Sequence, residues 1–256
     1  VELESLGWAP EAVNLEWRQK VDTAVGALIA AVLPPRCLLC GADGAHGRDL
    51  CAGCHADLPW NHCRCARCAL PLEYAAERCG ICLKHEPPFA AAWAPFRYAH
   101  PLDLLEARFK FQRNLAAGRL LSSLMIDAFS ERPPAAMPER LLCVPLHEER
   151  LRERGYNQAL ELARPLARAL RIPLDAEALL RLRNTRAQTG LDANARRRNL
   201  HAAFAVADPA RLPAHVAIVD DVMTTGTTLR ECARVLRRAG VARVDVWALA
   251  RAPARR

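Results

Sequence analysis

Apolar residues in the second half of the chain come in short runs, which alternate with longer stretches where they recur every three or four positions. A short, wholly apolar run fits a strand covered on both sides, and the three-to-four spacing fits a helix with one buried face. Strands are therefore expected at Leu141–Leu146, around Phe204–Val206, at Val216–Val219 and at Val244–Ala248, with helices at Asn157–Leu170 and Thr228–Ala239. Strands alternating with helices imply an α/β fold, a parallel sheet with helices on both faces. Upstream, Leu102–Phe129 reads as one helix, and Pro87-Pro88 and Pro95 place a boundary near residue 90. Glu11–Leu33 has helical composition and stops at Pro34-Pro35, while residues 1–20 are assigned no function. The longest apolar run, Ala24–Leu33, is too short to span a bilayer. Asp22 spoils the same run as a secretory signal, so a cytoplasmic chain with no membrane partner is expected.

Between these blocks periodicity gives way to cysteine. Nine of the 11 cysteines fall between Cys37 and Cys82, and eight of them form the pairs Cys37/Cys40, Cys51/Cys54, Cys65/Cys68 and Cys79/Cys82. Each half reads CxxC-x10-CxxC and the second repeats the first 28 residues on, an internal duplication. A CxxC turn aims two thiolates at one tetrahedral centre, which suits structural zinc; four thiolates leave no open position for catalysis. Without a signal peptide disulfides are disfavoured, and a redox CxxC needs a βαβ setting that this segment lacks. The spacing leaves one or two zinc ions open, and allows grouping in sequence (37/40/51/54, then 65/68/79/82) or cross-braced. Cys63, His55 and His62 lie near enough to replace a ligand.

The net charge of +8 points to a polyanionic ligand, and it is carried by the C-terminal part. Residues 1–100 hold 9 Lys+Arg against 11 Asp+Glu, and residues 101–256 hold 27 against 17. A zinc held by four thiolates would add −2, so the cysteine region does not read as a DNA-binding finger; a folding clip or protein-contact surface fits it better. Only Lys20, Lys84 and Lys110 are lysines, an arginine bias that weakens charge as evidence of function.

The sharpest chemistry is VAIVDDVMTTGTT, Val216 to Thr228. In open parallel sheets ligands bind at the carboxyl ends of strands, where loops lead into helix N-termini. Thr224, Thr225, Thr227 and Thr228 offer hydroxyls there, Gly226 lets the backbone bend closely round a ligand, and the helix N-terminus adds N–H groups; together they make a phosphate cradle. Asp220 and Asp221 would repel that phosphate, so they suit ribose hydroxyls or a Mg²⁺ shell on the adjoining part of the ligand. A sugar 5-phosphate satisfies both halves. A Walker B strand is excluded because no GK dipeptide supplies its partner loop. A Rossmann turn would place its glycines before the acid.

This segment resembles the phosphoribosyl pyrophosphate (PRPP) signature of type I phosphoribosyltransferases, and together with the CxxC array it resembles the ComF family of competence-associated proteins. The resemblance covers residue 34 onward. It implies a type I phosphoribosyltransferase-like domain at 91–256, a double zinc-ribbon module built of four-cysteine units at 37–90, and an N-terminal extension and helix at 1–36. Asp220 and Asp221 would then be the catalytic pair on the ribose hydroxyls of PRPP, and Thr224, Thr225, Gly226, Thr227 and Thr228 would hold its 5-phosphate. Val144-Pro145-Leu146 through Arg150, Arg154, Gly155, Tyr156, Asn157 and Gln158 resembles the family's VP…RGxNQ segment, at the pyrophosphate loop. Gln188, Leu191, Arg198, Asn199 and Phe204 resemble its mobile loop, and Phe109-Lys110-Phe111 its KF segment. Lys110, Arg150, Arg154, Asn157, Gln158 and Arg198 are thereby expected to bind PRPP.

The residues agree with this on physical grounds: 150–200 carry 12 Arg against 5 acids, and a guanidinium fork binds phosphate oxygens in pairs. The resemblance implies Mg²⁺ with PRPP, an oxocarbenium-like transfer of the phosphoribosyl group, and an acceptor held by the cysteine module and residues 91–135. It also implies a part in DNA uptake during natural transformation, with single-stranded DNA and other competence proteins as partners, the latter through the zinc module. A PRPP-regulated, DNA-handling protein without transferase activity stands as the alternative, with Tyr98, Phe109, Phe111 and Tyr156 as candidate stacking platforms.

Overall fold

A computed structural model describes residues 34–183 and 203–254. The chain divides into two compact units, residues 1–56 and 57–256. The expected Glu11–Leu33 helix and the candidates Gln188, Leu191, Arg198 and Asn199 lie outside the described residues.

The larger unit is built on a parallel sheet. Its strands are β1 (Ala92–Trp93), β2 (Phe96–Arg97), β3 (Arg140–Cys143), β4 (Leu174–Asp175), β7 (His215–Met223) and β8 (Arg243–Arg251), in the order β1-β8-β7-β3-β4 with β2 also on β8. A separate antiparallel pair joins β5 (Leu179–Arg181) to β6 (Phe204–Val206). From β3 the chain crosses outward to β4 through α5 (Glu148–Arg154) and α6 (Gln158–Leu170). From β7, on the other side of β3, it crosses the opposite way to β8 through α7 (Thr227–Arg238). Right-handed crossovers running in opposite directions place α6 and α7 on opposite faces. The strands between are accordingly buried along their middles: Val216–Val219, Val246 and Trp247 are fully buried. The junction of β3 and β7, where direction reverses, is the topological switch point at which such sheets bind ligands.

Leu102–Phe129 is two helices rather than one, α3 (Leu102–Phe111) and α4 (Leu115–Glu131). Arg113 takes a left-handed φ of 55°, and the Asn114 side chain accepts a bond from the Ala117 amide, capping α4. Asn is a strong helix starter, so the break is encoded in the sequence. α4 packs on both α3 and α6. Its Ser122 hydroxyl approaches the Glu161 carbonyl at 3.5 Å, an oxygen that Pro165, four residues on in α6, cannot serve. The Leu141–Leu146 strand ends early, at Cys143, before Pro145. The Val216–Val219 strand runs on through both aspartates to Met223, in register with β8 up to Met223 opposite Arg251.

The 28-residue duplication is visible in both units. Cys37 N–H bonds Ala42 O, as Cys65 N–H bonds Leu70 O; Gly41 N–H bonds Cys37 O, as Ala69 N–H bonds Cys65 O. Single β-bridges join Arg36 to Asp43 and Arg64 to Pro71, and five-residue helices α1 (Ala52–Ala56) and α2 (Gly80–Lys84) follow at the same offset. Gly41 and Ala69 both take positive φ, a strained geometry for alanine but held here in full burial.

Within the helical corner, Gly118 faces the Phe109 ring: a Cβ there would meet ring carbons at 2.5 and 2.8 Å. Gly118→Ala gains helix propensity of about 1 kcal/mol but overpacks a fully buried ring, at roughly 1–3 kcal/mol. The net expectation is a stability loss, read as a lowered urea midpoint; a raised midpoint would show that α3 can withdraw.

Candidate functional site

The carboxyl end of β7 carries the acids beyond the last buried valine, and the backbone amide of Val144 bonds Val219 O at 3.0 Å, bringing the chain after β3 alongside them. Asp221 faces α3, where Lys110 Nζ meets Asp221 Oδ2 at 2.9 Å and Glu106 Oε1 at 3.3 Å. Glu106 is 1% exposed. Burial would raise the Asp221 carboxyl, but the Lys110 ammonium prevails and holds it below its ordinary range. Asp220 makes no ion pair among the described residues; burial, then the charge of Asp221, pushes its carboxyl well up. Its own charge bears on Cys143 and Cys232. The adjacent acids are thus unlike: one neutralised by lysine, the other left for a ligand.

Beyond Met223 the chain turns at Gly226, in the left-handed region at φ 73°, and enters α7; Gly226 offers no side-chain cap, and in the first turn the Thr227 amide reaches Thr225 Oγ1 at a long 3.4 Å. The positive φ calls for glycine, and a Cβ at Gly226 would also lie 2.6 Å from the Met223 methyl, which would have to move aside. Thr225 and Thr227 share a hydroxyl bond of 2.8 Å; Thr224 and Thr225 are exposed, and Thr227 and Thr228 half-buried. Backbone amides, hydroxyls and the positive end of a helix dipole converge here, the composition of an anion site.

The segment after β3 combines structural and free groups. Gly155 ends α5 in the left-handed region. Asn157 caps α6 through Oδ1 and donates Nδ2 to Val144 O at 3.0 Å, so both its polar atoms are engaged within the chain. Arg154 bonds Gln158 Oε1 at 3.0 Å, while Gln158 Nε2, buried, has no partner among the described residues. Tyr156 stacks on Phe109 and donates its hydroxyl to Phe109 O. Phe109 is fully buried and so offers no face for stacking, whereas Phe111 is 71% exposed. Two residues that the sequence did not single out also belong here. Glu106 holds Lys110 from four positions back on α3. Arg181, on β5, lies over the Phe204 ring; its charge is felt with those of Arg150 and Arg154, opposite in sign to the nearby Asp220.

The cysteines gather as two tetrads, Cys37/Cys40/Cys51/Cys54 in the smaller unit and Cys65/Cys68/Cys79/Cys82 in the larger, each with its sulfurs within 4.8 Å of one another. None is disulfide-bonded. Sulfurs at the corners of a tetrahedron with zinc–sulfur bonds of about 2.3 Å stand about 3.8 Å apart. Cys40 and Cys51 are separated by 3.7 Å, as are Cys68 and Cys79. Zinc therefore fits. The thiols on their own cannot all ionise: against burial, backbone donors draw Cys37 down to about 6, while burial and the other three sulfurs push Cys54 far up. A divalent cation removes that conflict. The second tetrad is wholly buried and the first partly exposed.

Two expectations follow. Cys82→Ser should lower the calorimetric unfolding temperature of the larger unit, whereas Cys54→Ser should leave that transition in place; equal effects would refute separate sites. Burial, opposed by Lys110 and reinforced by Asp221, raises Glu106 from 4.5 to about 7. Its charged form is disfavoured by folding, so the stability it contributes is complete below pH 4.5 and is lost as pH rises through 7. Glu106→Gln should therefore gain on the wild type with pH, by on the order of 3 kcal/mol between pH 4.5 and pH 8. Chemical denaturation across that range would show parallel curves if Glu106 were an ordinary carboxylate.

A double zinc ribbon domain model matches residues 28–83, and a phosphoribosyl transferase domain model matches residues 157–256. Competence protein F of Haemophilus influenzae is 39% identical over 223 residues, 85% of this chain and 97% of that protein. The DNA utilization protein YhgH of Escherichia coli O157:H7 is 38% identical over 86% and 98%, and that of Salmonella typhimurium 35% over the same shares. Among solved structures, glutamine PRPP amidotransferase from B. subtilis complexed with ADP and GMP aligns at TM-score 0.37 and 20% identity, over 52% of this chain and 26% of that one. The allosteric regulatory enzyme of purine biosynthesis aligns at 0.35 and 20%, with the same coverage. A likeness that runs nearly end to end through both ribbon and sheet is that of one family, and the chain belongs to it: the ComF family of competence protein F and the YhgH DNA utilization proteins.

Proposed function

We propose that this chain binds PRPP with Mg²⁺ at the carboxyl end of β7 and transfers its phosphoribosyl group in the service of DNA utilisation. The observation that carries the reading is the left-handed Gly226 between two threonine pairs, opening α7 at the switch point directly after Asp220 and Asp221. The 5-phosphate is taken by the hydroxyls and first-turn amides of 224–228. The ribose hydroxyls donate to Asp220 and Asp221, and the pyrophosphate faces Arg150 and Arg154, with Arg181 adding charge behind them. An unpaired, half-buried Asp220 is also an oxygen donor of the kind that Mg²⁺ takes; the ion, when bound, supplies charge neutralisation to the leaving pyrophosphate. In transfer the bond from ribose C1 to the pyrophosphate oxygen breaks, an acceptor nucleophile takes C1 and gives up its proton, and the positive charge developing on the sugar lies beside the carboxylates.

The names of the relatives concern competence and DNA utilisation, and residues 101–256 are the basic part of this chain. These support single-stranded DNA and other competence proteins as partners, and they favour the second reading, in which PRPP is bound as a signal without transfer. Pyrophosphate release from PRPP, measured with nucleobases, nucleosides and single-stranded DNA as acceptors, separates the two: release above the acceptor-free rate establishes transfer, and its absence throughout leaves binding alone. For the site itself, Asp220→Asn with Asp221→Asn should weaken PRPP binding at least about tenfold in calorimetry, since two charge-assisted bonds are lost. An unchanged affinity would remove PRPP from this loop.

A further inference from the structure

Arg251 ends β8 opposite Met223 and is 6% exposed, yet it pairs with no carboxylate among the described residues. Its donors go to backbone carbonyls. Nη1 reaches Met223 O at 2.9 Å, Thr224 O, and Ala252 O at 2.8 Å; Nε reaches Cys68 O at 3.2 Å. One side chain thus grips the two residues that lead into the threonine loop and a ligand residue of the second tetrad. From these contacts we propose that Arg251 is a positioning residue, setting the 5-phosphate loop and coupling it to the metal in the Cys65/Cys68/Cys79/Cys82 site; this rests on the PRPP reading above.

In a trans peptide the carbonyl and the following N–H point in opposite directions. Holding the carbonyls of Met223 and Thr224 therefore turns the amides of Thr224 and Thr225 away from Arg251, and fixes the direction in which the loop presents them. The Ala252 amide adds a second bond to Met223 O, at 3.0 Å, so the first of these peptides is clamped from two sides. A buried guanidinium with only carbonyl partners is costly unless a negative charge lies near it. Zinc held by four thiolates carries −2, and Cys68 brings that centre to Arg251. Metal in the second tetrad then favours the position of Arg251 that shapes the loop, and by linkage a ligand in the loop favours metal in that tetrad. Lysine cannot reproduce the grip: its ammonium has no planar fork to span the carbonyls on two segments at once.

The full-length, zinc-loaded protein and its Arg251→Lys variant test this through two readouts. In calorimetry, ribose 5-phosphate and PRPP should each bind the variant about tenfold more weakly, while inorganic pyrophosphate, which does not engage the loop, should bind both proteins alike. In zinc release to a chromophoric chelator, one of two kinetic phases should be faster in the variant, and saturating PRPP should slow that phase alone in the wild type and neither phase in the variant. Variant affinities equal to wild type, or PRPP slowing both phases or neither in the wild type, would overturn the coupling. If the wild type fails to bind PRPP, the substrate reading falls by itself; the release rates without ligand still decide whether Arg251 braces the metal site, and identical phases in the two proteins would say it does not. The wild-type comparison with and without PRPP stands even if the variant does not fold.

Discussion

The parallel pairing of β7 with β8 is the constraint from which the site follows. Because the register keeps one offset from His215 opposite Arg243 to Met223 opposite Arg251, β7 continues past its apolar segment and carries two aspartates outward as strand residues. Buried apolar residues are interspersed with buried or half-buried charged ones along both strands, so slippage by one position would invert every side chain and is heavily penalised. The start of the threonine loop is thereby fixed by the same ladder that fixes the acids. Gly226, a single left-handed residue, then turns the chain into α7.

The apolar segments of β7 and β8 and the helices α6 and α7 were legible in the sequence because burial on both faces leaves an uninterrupted signature and amphipathic helices a periodic one. What the strand did beyond Val219 was not legible. Acids ordinarily end a strand, and here they are retained because neighbours pay their desolvation: Lys110 for Asp221, and for Asp220 a raised carboxyl. The division of α3 from α4 did have a local signal in Asn114, which a reading for apolar spacing passes over, since Leu, Ala and Phe continue on both sides of it. Glu106 and Arg181 carried no motif at all; they matter through what the fold places beside them.

The cysteine array shows the same limit from the other side. Its spacing announces two equivalent halves, and several backbone hydrogen bonds recur in both at the same offset. Their surroundings are not. Residues 57–90 pack within the larger unit: Ala90 N–H bonds Val244 O, Arg97 N–H bonds Pro59 O, and Asn61 Nδ2 bonds the carbonyls of Ala69 and Ala94. Duplication preserves the fold of a module but not its neighbours, so identical spacing ends with one tetrad wholly buried and the other partly exposed.

The sequence also poses an electrostatic difficulty, two negative charges adjoining a cradle built for an anion, and the fold answers it with residues from distant parts of the chain. Lys110 arrives from α3, 111 positions before Asp221, and turns that acid into half of an ion pair with little net field at the loop. Asp220 keeps its carboxyl but is raised toward neutrality by burial. The charge of Arg181, itself near those of Arg150 and Arg154, opposes what remains. Removing Lys110 would therefore return a full negative charge beside the threonine loop while leaving Glu106 buried without a counter-charge. Held by two carboxylates, the lysine lets the acid pair and, in the proposed reading, an anion cradle share one short stretch of chain.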